Sequence, residues 1–543
     1  MTHNSHKDTK KQVSAQQKPS RGGWNAAIFI IFVELAERFA FYGLGANLIT
    51  YLTNVLNQPI STAAKNVNTW AGVSYLFPLF GAFVADSFLG RFKTILLASV
   101  IYFMGMVLLT LSVSVIPLDY RKAIFFVALY ILSIGEGGHK PCVQTFAADQ
   151  FDEDSLEDKK DTIGWAAGIG MLAIALAVSL TMFLIGIKRY RKQGPLGSPL
   201  TTVAQVLVAA ARKWRVAECG SYNVYHADVL HAVGQPKTRT LTHTNQLRCL
   251  DKAMIIDNLD AMRTIRDPWR LCSLNQVEEV KLVLRLFPIW LSCLMFPIIM
   301  SQINTYFTKQ GSTMHRAITP HFTIPPASLQ ALVGFTILFN IPLYDRVFVH
   351  ITRKFTGHPS GITVLQRIGI GLFLSIFVMV VSALVEAKRI NIAKEYNLLD
   401  HPKAIVPMKV WWLLPQYIIA GLADIFTFVG LQELFYAQMP EAMRSLGAAL
   451  YLSVTGVGNF ISSAIISMVQ AISSRNGEEW LGDNINRAHL DYFYWVLAGL
   501  SSLNFCVYVW IAKCFVYKKV EEDDVPGEKE LGAINEYVDG EII

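Results

Sequence analysis

The fold class is decided by the stretch Glu34-Leu35-Ala36-Glu37-Arg38-Phe39-Ala40-Phe41-Tyr42-Gly43, which places three charges inside a long apolar run. The run extends from residue 24 to residue 51, which is long enough to cross a hydrocarbon core of about 30 Å. Each ionised side chain at the bilayer centre costs about 3 kcal/mol on insertion scales. Positions 34, 37 and 38 share one helix face, so we expect that face to border a polar cavity suited to proton handling.

The composition points to the same class. Of the 543 residues, 52% are hydrophobic and 16% are charged, and the mean hydropathy is +0.36. A soluble domain carries about 25% charged residues. A β-barrel would instead show alternating segments of about ten residues. The sequence therefore predicts an all-α membrane protein with many spans.

About eleven apolar segments are long enough to span the bilayer. They lie near residues 24–51, 66–88, 93–116, 122–148, 164–187, 281–308, 326–347, 363–387, 410–436, 444–471 and 490–516. The predicted organisation is a disordered cytoplasmic N-terminus (1–23), an N-terminal bundle (24–187), a long basic cytoplasmic linker (188–280), a C-terminal six-helix bundle (281–517) and an acidic cytoplasmic tail (518–543). The basic start precedes the first span without an apolar core, so it is not expected to be a signal peptide.

The predicted sides of the loops are inconsistent with the number of spans between them. The basic N-terminus and the basic residues after the last span are both expected in the cytoplasm. Counting crossings from these two ends places segments 149–161 and 188–280 both in the cytoplasm, yet only the span 164–187 connects them. Either this span is re-entrant, or one half inserts against its bias, or the chain has lost a span just before Ile163. We favour the third explanation, because the charged segment 157–161 leads straight into an apolar run.

Other function classes find no support in the sequence. We find no phosphate-binding loop, no nucleophile elbow and no cysteine or histidine spacing typical of a metal site. The net charge of +7 is typical of cytoplasmic loops in a membrane protein and not of nucleic-acid binding. We expect no catalytic residues, no metal, no cofactor other than coupling protons, and no nucleic-acid partner.

Several motifs together resemble the plant branch of the proton-dependent oligopeptide and nitrate transporters, within the major facilitator superfamily. The stretch 34–43 is similar to that family's ExxERFxYYG signature, with Phe41 in place of the first tyrosine. The other motifs are Asp86-Ser87-Phe88-Leu89-Gly90-Arg91-Phe92-Lys93-Thr94, Gly135-Glu136-Gly137-Gly138-His139-Lys140-Pro141-Cys142, Ala148-Asp149-Gln150-Phe151-Asp152, Phe307-x-Lys309-Gln310-Gly311 and Val429-Gly430-Leu431-Gln432-Glu433. The resemblance implies a major facilitator fold of two helical bundles.

The chain departs from that family in two respects. Glu136 and His139 stand where the family usually has uncharged residues. Relatives also have twelve spans, and the fifth of them is missing here, which agrees with the crossing count made from charges. The resemblance therefore implies about eleven spans instead of twelve.

For the charged triad Glu34, Glu37 and Arg38 the resemblance implies proton coupling. Desolvation raises the pKa of a carboxyl, whereas a nearby guanidinium lowers it. Protonation of one glutamate would release Arg38 to pair with the other. The alternative is a purely structural salt-bridge cluster that pins the first helix to its neighbours.

Lys140 lies near the end of the fourth span, where the family uses a lysine for substrate or proton coupling. Glu433 is our first choice for its partner across the two halves, as a gate, and Asp424 is the second. Glu136 is one turn from Lys140 and can capture its charge instead. A lysine that snorkels to the interface and carboxylates that only bond neighbouring helices are the structural alternatives.

Two further groups complete the predicted site. Candidate cavity residues are Tyr42, Asn47, Gln302 and Asn459, each of which can equally bond a neighbouring helix. A cytoplasmic clasp that stabilises one transport state is expected from Asp86, Gly90, Arg91 and Lys93.

The predicted function is a proton-coupled symporter of small solutes, such as nitrate, di- and tripeptides or organic anions, by alternating access. The alternative is a transport-deficient or regulatory isoform, since a helix is missing. The resemblance allows the plasma membrane or the vacuolar membrane. The expected partners are a small-molecule substrate and the lipid bilayer.

Overall fold

The computed structural model describes residues 24–148, 199–214, 243–257, 267–319, 322–356, 361–439, 444–475 and 479–517, and the single residues 178, 181 and 260. The predicted N-terminal segment and acidic tail lie outside these residues. So does the span 164–187, apart from residues 178 and 181. The missing-span prediction therefore remains a prediction.

Four long helices form the described part of the N-terminal half. They are α1 (Trp24–Asn54), α2 (Ile60–Leu89), α3 (Arg91–Ser114) and α4 (Leu118–Ala148). Each coincides with a predicted span, because uninterrupted apolar sequence and internal backbone hydrogen bonding favour helices in lipid.

The C-terminal half contains the remaining spans. They are the bent pair α6 (Leu274–Ser292) and α7 (Met295–Ser312), then α8 (Pro326–Thr356), α9 (Val364–Glu395), α10 (Val410–Gln438), α11 (Arg444–Arg475) and α12 (Leu490–Cys514). The α6–α7 bend of 43° follows from Pro297, which has no N–H to donate to the carbonyl of Cys293. Short strands β1 (Met314–His315), β2 (Ala317–Thr319), β3 (Phe322–Thr323) and β4 (Val406–Lys409) form one parallel pair, β1–β4, and one antiparallel pair, β2–β3.

Among the described residues, seven helices are long and apolar enough to cross a membrane, or eight if the bent pair is one span. Helices α1 and α4 have a similar length but carry the charged motifs. Ten of the eleven predicted spans thus coincide with helices.

The segment predicted as a linker forms a second compact unit within residues 200–286. It contains α5 (Pro199–Arg212), which fits the amphipathic pattern of its sequence, and a 3₁₀-helix at Arg248–Met254. Val206, Val277 and their neighbours form its apolar core. The described part of this segment is thus a folded unit rather than a simple connection.

Close backbone contacts fix α4 against its neighbours. A Cβ atom at Gly137 would lie 2.5 Å from the Cβ of Phe77 on α2, and one at Gly135 would lie 2.7 Å from the backbone of Tyr102 on α3. Only glycine fits where helix backbones approach this closely, as at other small-residue interfaces in membranes. Lys140 of α4 in turn lies over the ring of Phe41 on α1.

Polar contacts between the halves concentrate near the loop that joins α1 and α2. Lys309 donates to Asn54 over 3.3 Å, and the backbone N–H of Ile60 donates to Asp483 over 2.9 Å. The described polar contacts between the halves therefore lie toward the end of α1 that is opposite the N-terminus.

A buried ion pair stabilises the C-terminal half. Arg389 and Glu386 lie one turn apart on α9, are fully buried and share two hydrogen bonds of 2.6 and 2.9 Å. Asn486 and the carbonyl of Ile485 accept further hydrogen bonds from the guanidinium, both over 2.7 Å, and Gln310 donates to Glu386 over 2.7 Å. A buried pair persists only with such complete hydrogen bonding.

We predict that Glu386→Gln destabilises the protein by about 3–5 kcal/mol, because it leaves the Arg389 charge buried without a counter-ion. Thermal unfolding of the purified protein in detergent measures this. The control is Glu395→Gln, the same change at an exposed position of α9, and we expect an effect within about 0.5 kcal/mol. Equal unfolding temperatures for the two variants would contradict the prediction.

Candidate functional site

The predicted triad on α1 forms one charged cluster. Arg38 donates from Nε to Glu34 Oε1 over 2.8 Å, and its Nη2 lies 2.6 Å from the same oxygen. Glu37 is fully buried, and its Oε2 lies 3.8 Å from Arg38 Nε. The guanidinium thus sits between two carboxyls but favours Glu34, which is the arrangement that partner switching requires.

Lys140 on α4 belongs to the same cluster. It forms a buried ion pair with Glu136, one turn earlier. Its Nζ also lies 3.7 Å from the ring centroid of Phe41 and 4.1 Å from that of Tyr75, within cation–π range. This ammonium group is 1% exposed, so it is enclosed by protein and does not snorkel to the interface.

His139 completes the cluster and raises the question of a metal. Ligand atoms of Glu34, Glu37 and His139 lie within 4.8 Å of one another. However, the Arg38 guanidinium lies between the two carboxyls, and a divalent cation would have to displace it against charge repulsion. The donor set therefore fits protons better than a metal ion.

The expected bridge between Lys140 and Glu433 is not the pairing that this structure contains. Lys140 pairs with Glu136, while Glu433 accepts a 2.5 Å hydrogen bond from Arg367 on α9. Arg367 also donates to the Tyr344 hydroxyl on α8 over 2.9 Å. Lys140 pairs with Glu136 because the two residues are one helical turn apart on α4. Glu433 pairs with Arg367, which belongs to the same half of the protein.

Asp424, the second choice, is half-buried on α10 and has no ion-pair partner among the described residues. It lies in the helix immediately before the π-helical turn Ile425–Val429. Its gating role stays a prediction.

The predicted cavity residues divide into two kinds. Tyr42 is 57% exposed and borders open space, whereas Asn47 is half-buried and donates to the carbonyl of Gly43 on its own helix over 2.9 Å. Gln302 and Asn459 are buried and donate to carbonyls of their own helices. The fully buried Oε1 of Gln302 has no hydrogen-bond partner among the described residues.

Sequence reasoning missed Ser462 on α11, where three helices meet. Asn68 on α2 donates to its hydroxyl over 3.1 Å, and Ser301 on α7 lies 2.9 Å from it. A single serine in an apolar helix gives no signal in one sequence. Arg367, Glu386 and Arg389 were also missed, although charges at the ends of an apolar segment are a usable signal.

The clasp residues surround the start of α3. Gly90 adopts a φ of +74°, which favours glycine, and its carbonyl accepts from Thr94 Oγ1 over 3.1 Å. Arg91 is half-buried and Lys93 is exposed. Asp86 lies in the π-helical end of α2, but its side chain is outside the described set.

Comparison with protein families identifies similar proteins. A family model described as POT family (PTR2) matches residues 92–161 and 156–481. The Arabidopsis thaliana protein NRT1/PTR FAMILY 5.4 is 54% identical, over 94% of this chain and 98% of its own. NRT1/PTR FAMILY 5.10 from the same plant is 45% identical, over 93% and 95%.

Solved structures agree on the fold. An auto inhibited POT family peptide transporter matches with a TM-score of 0.64 at 19% identity, covering 92% of this chain and 98% of that chain. A POT family transporter in complex with 5-aminolevulinic acid gives 0.60 at 13% identity, covering 91% and 98%. The predicted all-α transporter fold is confirmed, and identities this low concern the fold alone.

The comparisons also bear on the chain's length. The alignment with NRT1/PTR FAMILY 5.4 covers 547 positions but 94% of 543 residues, which is about 510 residues. The relative thus has about 35 residues without a counterpart here, enough for one span of about 20 residues with its connections. The two matches to the family model meet at residues 156–161, next to the predicted junction.

We predict that Tyr42→Cys, in a background without other reactive cysteines, reacts with a membrane-impermeant maleimide supplied on the side of the N-terminus. Phe41→Cys is the control, since the neighbouring side chain is 6% exposed against 57% for Tyr42. Water must reach Tyr42 for the reaction, whereas lipid contact would not permit it. Labelling from the opposite side only, or equal labelling of both positions, would contradict a cavity at this face.

Proposed function

The chain belongs to the POT family of transporters and is an integral multi-pass membrane protein, not an enzyme, and from this premise we propose that it is a proton-coupled symporter of small polar solutes. The observation that carries the proposal is the buried cluster of carboxyls and cations on α1 and α4. Membership of the family implies proton-coupled peptide or nitrate transport as the class.

Proton coupling is supported by the unequal surroundings of the two glutamates of α1. Glu34 is 24% exposed and bonded to Arg38, whereas Glu37 is fully buried, 3.8 Å from the same guanidinium. A proton arriving at Glu34 through water weakens its hold on Arg38. The guanidinium can then move to Glu37, which converts proton binding into a side-chain movement.

Alternating access is supported by the one-sided contacts between the halves. Asn54 with Lys309 and Ile60 with Asp483 join them near the α1–α2 loop, which is the non-cytoplasmic side if the N-terminus is cytoplasmic as predicted. Near the cytoplasmic end, Glu433 is held by Arg367 within its own half. This pattern suits a state that is open to the cytoplasm, and the opposite state requires these contacts to exchange.

The substrate class follows from which cations remain accessible. Lys140 is enclosed by Glu136 and two aromatic rings, so in this state Arg38, with its side chain 30% exposed, is the cation of the cluster next to open space. The proposed substrates remain nitrate, di- or tripeptides and organic anions. Each carries a negative group that a guanidinium binds.

A missing span is the second part of the proposal. It is supported by the topology count, by the meeting of the family matches at 156–161 and by the length difference of one span. Loss of the span would remove one of the helices that enclose the cavity in the N-terminal half. A transport-deficient isoform is therefore the outcome to be distinguished by experiment.

We predict that the protein in proteoliposomes accumulates nitrate, dialanine or an organic anion when the outside is acidic. One proton per solute at 100 mV is worth about 2.3 kcal/mol, an accumulation of about 50-fold. Glu37→Gln is expected to abolish accumulation but retain exchange of solute across the membrane, because binding and alternation persist without the coupling proton.

Glu395→Gln, on the exposed end of α9, serves as the matched control and is expected to behave like wild type. Undiminished accumulation in Glu37→Gln would contradict proton coupling at this site. Correctly inserted wild-type protein that accumulates none of the three solutes would favour the transport-deficient alternative.

A further inference from the structure

We propose that Glu37 and Glu136 share one proton, forming a carboxyl pair between α1 and α4 that is the resident proton site of the cluster. The proposal rests on the proposed function for its role in transport. The pair itself rests on contacts and charge. It assigns a function to Glu136, which stands where the resembled motif has an uncharged residue.

The first observation is proximity. Glu37 and Glu136 are both buried, and Lys140, which pairs with Glu136, lies 3.7 Å from the ring centroid of Phe41, one helical turn after Glu37. The two carboxyls are therefore close to each other at the α1–α4 interface. Two ionised carboxylates at that range repel strongly in a medium of low dielectric. A single proton removes the repulsion and supplies the donor that a hydrogen bond between two carboxyl groups requires.

The second observation is that the carboxyl oxygens of Glu37 have no hydrogen-bond donor among the described residues, although the residue is fully buried. Arg38 stays 3.8 Å away, since it is engaged by Glu34. A buried carboxylate without a donor is costly, and a proton at the pair supplies what the protein does not.

The third observation is the charge count among the described residues around the pair. Three carboxyls, Glu34, Glu37 and Glu136, face two permanent cations, Arg38 and Lys140. The other titratable groups around the pair are Tyr42 on α1, Tyr75 on α2, Tyr102 on α3 and His139 on α4. One proton on the carboxyls makes the cluster neutral, whereas without it one negative charge stays uncompensated within the bilayer.

His139 is the rival position for the excess proton. Its Nδ1 has no hydrogen-bond partner among the described atoms, so this nitrogen does not donate to Glu34 or Glu37 as it could in a charged imidazole. A proton between the carboxyls of Glu37 and Glu136, in contrast, would bond to oxygens of Glu37 that have no other described donor. The geometry therefore favours the carboxyl pair.

The pair would couple two helices. While the proton is bound, α1 and α4 are held together and Lys140 is neutralised by Glu136. When the proton leaves to water, the two carboxylates repel each other and attract both Arg38 and Lys140. Proton release would thus change the α1–α4 contact, without an acid from the C-terminal half.

Infrared spectroscopy of the purified full-length protein in lipid tests the pair, because a protonated carboxyl has a C=O band that a carboxylate lacks. At neutral pH we expect Glu136→Gln and Glu37→Gln each to lose the intensity of one protonated carboxyl relative to wild type, since either leaves two acids facing two cations. Lys140→Gln is expected to gain the intensity of one, because it removes a cation. Contributions from other acids such as Asp424 cancel in these differences.

The control is Glu433→Gln, which removes a carboxylate paired with Arg367 and should leave the band unchanged. Unchanged intensity in Glu136→Gln, or a gain of one protonated carboxyl in His139→Gln, would overturn the pair. These differences between the variants and the wild type can be measured without transport. If they are observed but the wild-type protein accumulates no solute, the proposed function is contradicted and the carboxyl pair is not.

Discussion

A charge placed within a bilayer must be neutralised by the protein itself, and the rest of this structure follows from how α1 and α4 meet that requirement. Glu34, Glu37 and Arg38 come from one helix, and Glu136 and Lys140 from another. Neither set is stable in lipid alone. The two helices have to lie together, while the glycines of α4 let that helix pack closely against α2 and α3.

The two halves of the protein treat buried charge in opposite ways. In the C-terminal half, Glu386 and Arg389 satisfy each other with help from Gln310 and Asn486, so nothing is left to bind or release. In the α1–α4 cluster of the N-terminal half, the carboxyl oxygens of Glu37 have no described donor, and three carboxyls face two permanent cations. The first arrangement is a rigid scaffold, whereas the second responds to a proton.

This difference also explains what could be learned from the sequence. Helices and their approximate limits followed from apolar length, and the cluster on α1 followed from three charges on one face. The Lys140 partner did not follow, because an acid one turn away competes with an acid from a distant helix and only geometry decides. Ser462 was beyond reach, since an isolated serine gives no pattern, and the fold of the linker was hidden by its many charges.

The central claim is that solute movement is tied to proton binding at the α1–α4 cluster, and simultaneous recording of solute entry and external pH tests it most directly. Proteoliposomes without a pH gradient receive whichever of the tested solutes the protein carries. The account predicts that solute entering down its own gradient removes protons from the outside solution, and that this alkalinisation disappears in a protein with Gln at positions 34 and 37. Solute entry without any movement of protons in the wild-type protein would contradict it.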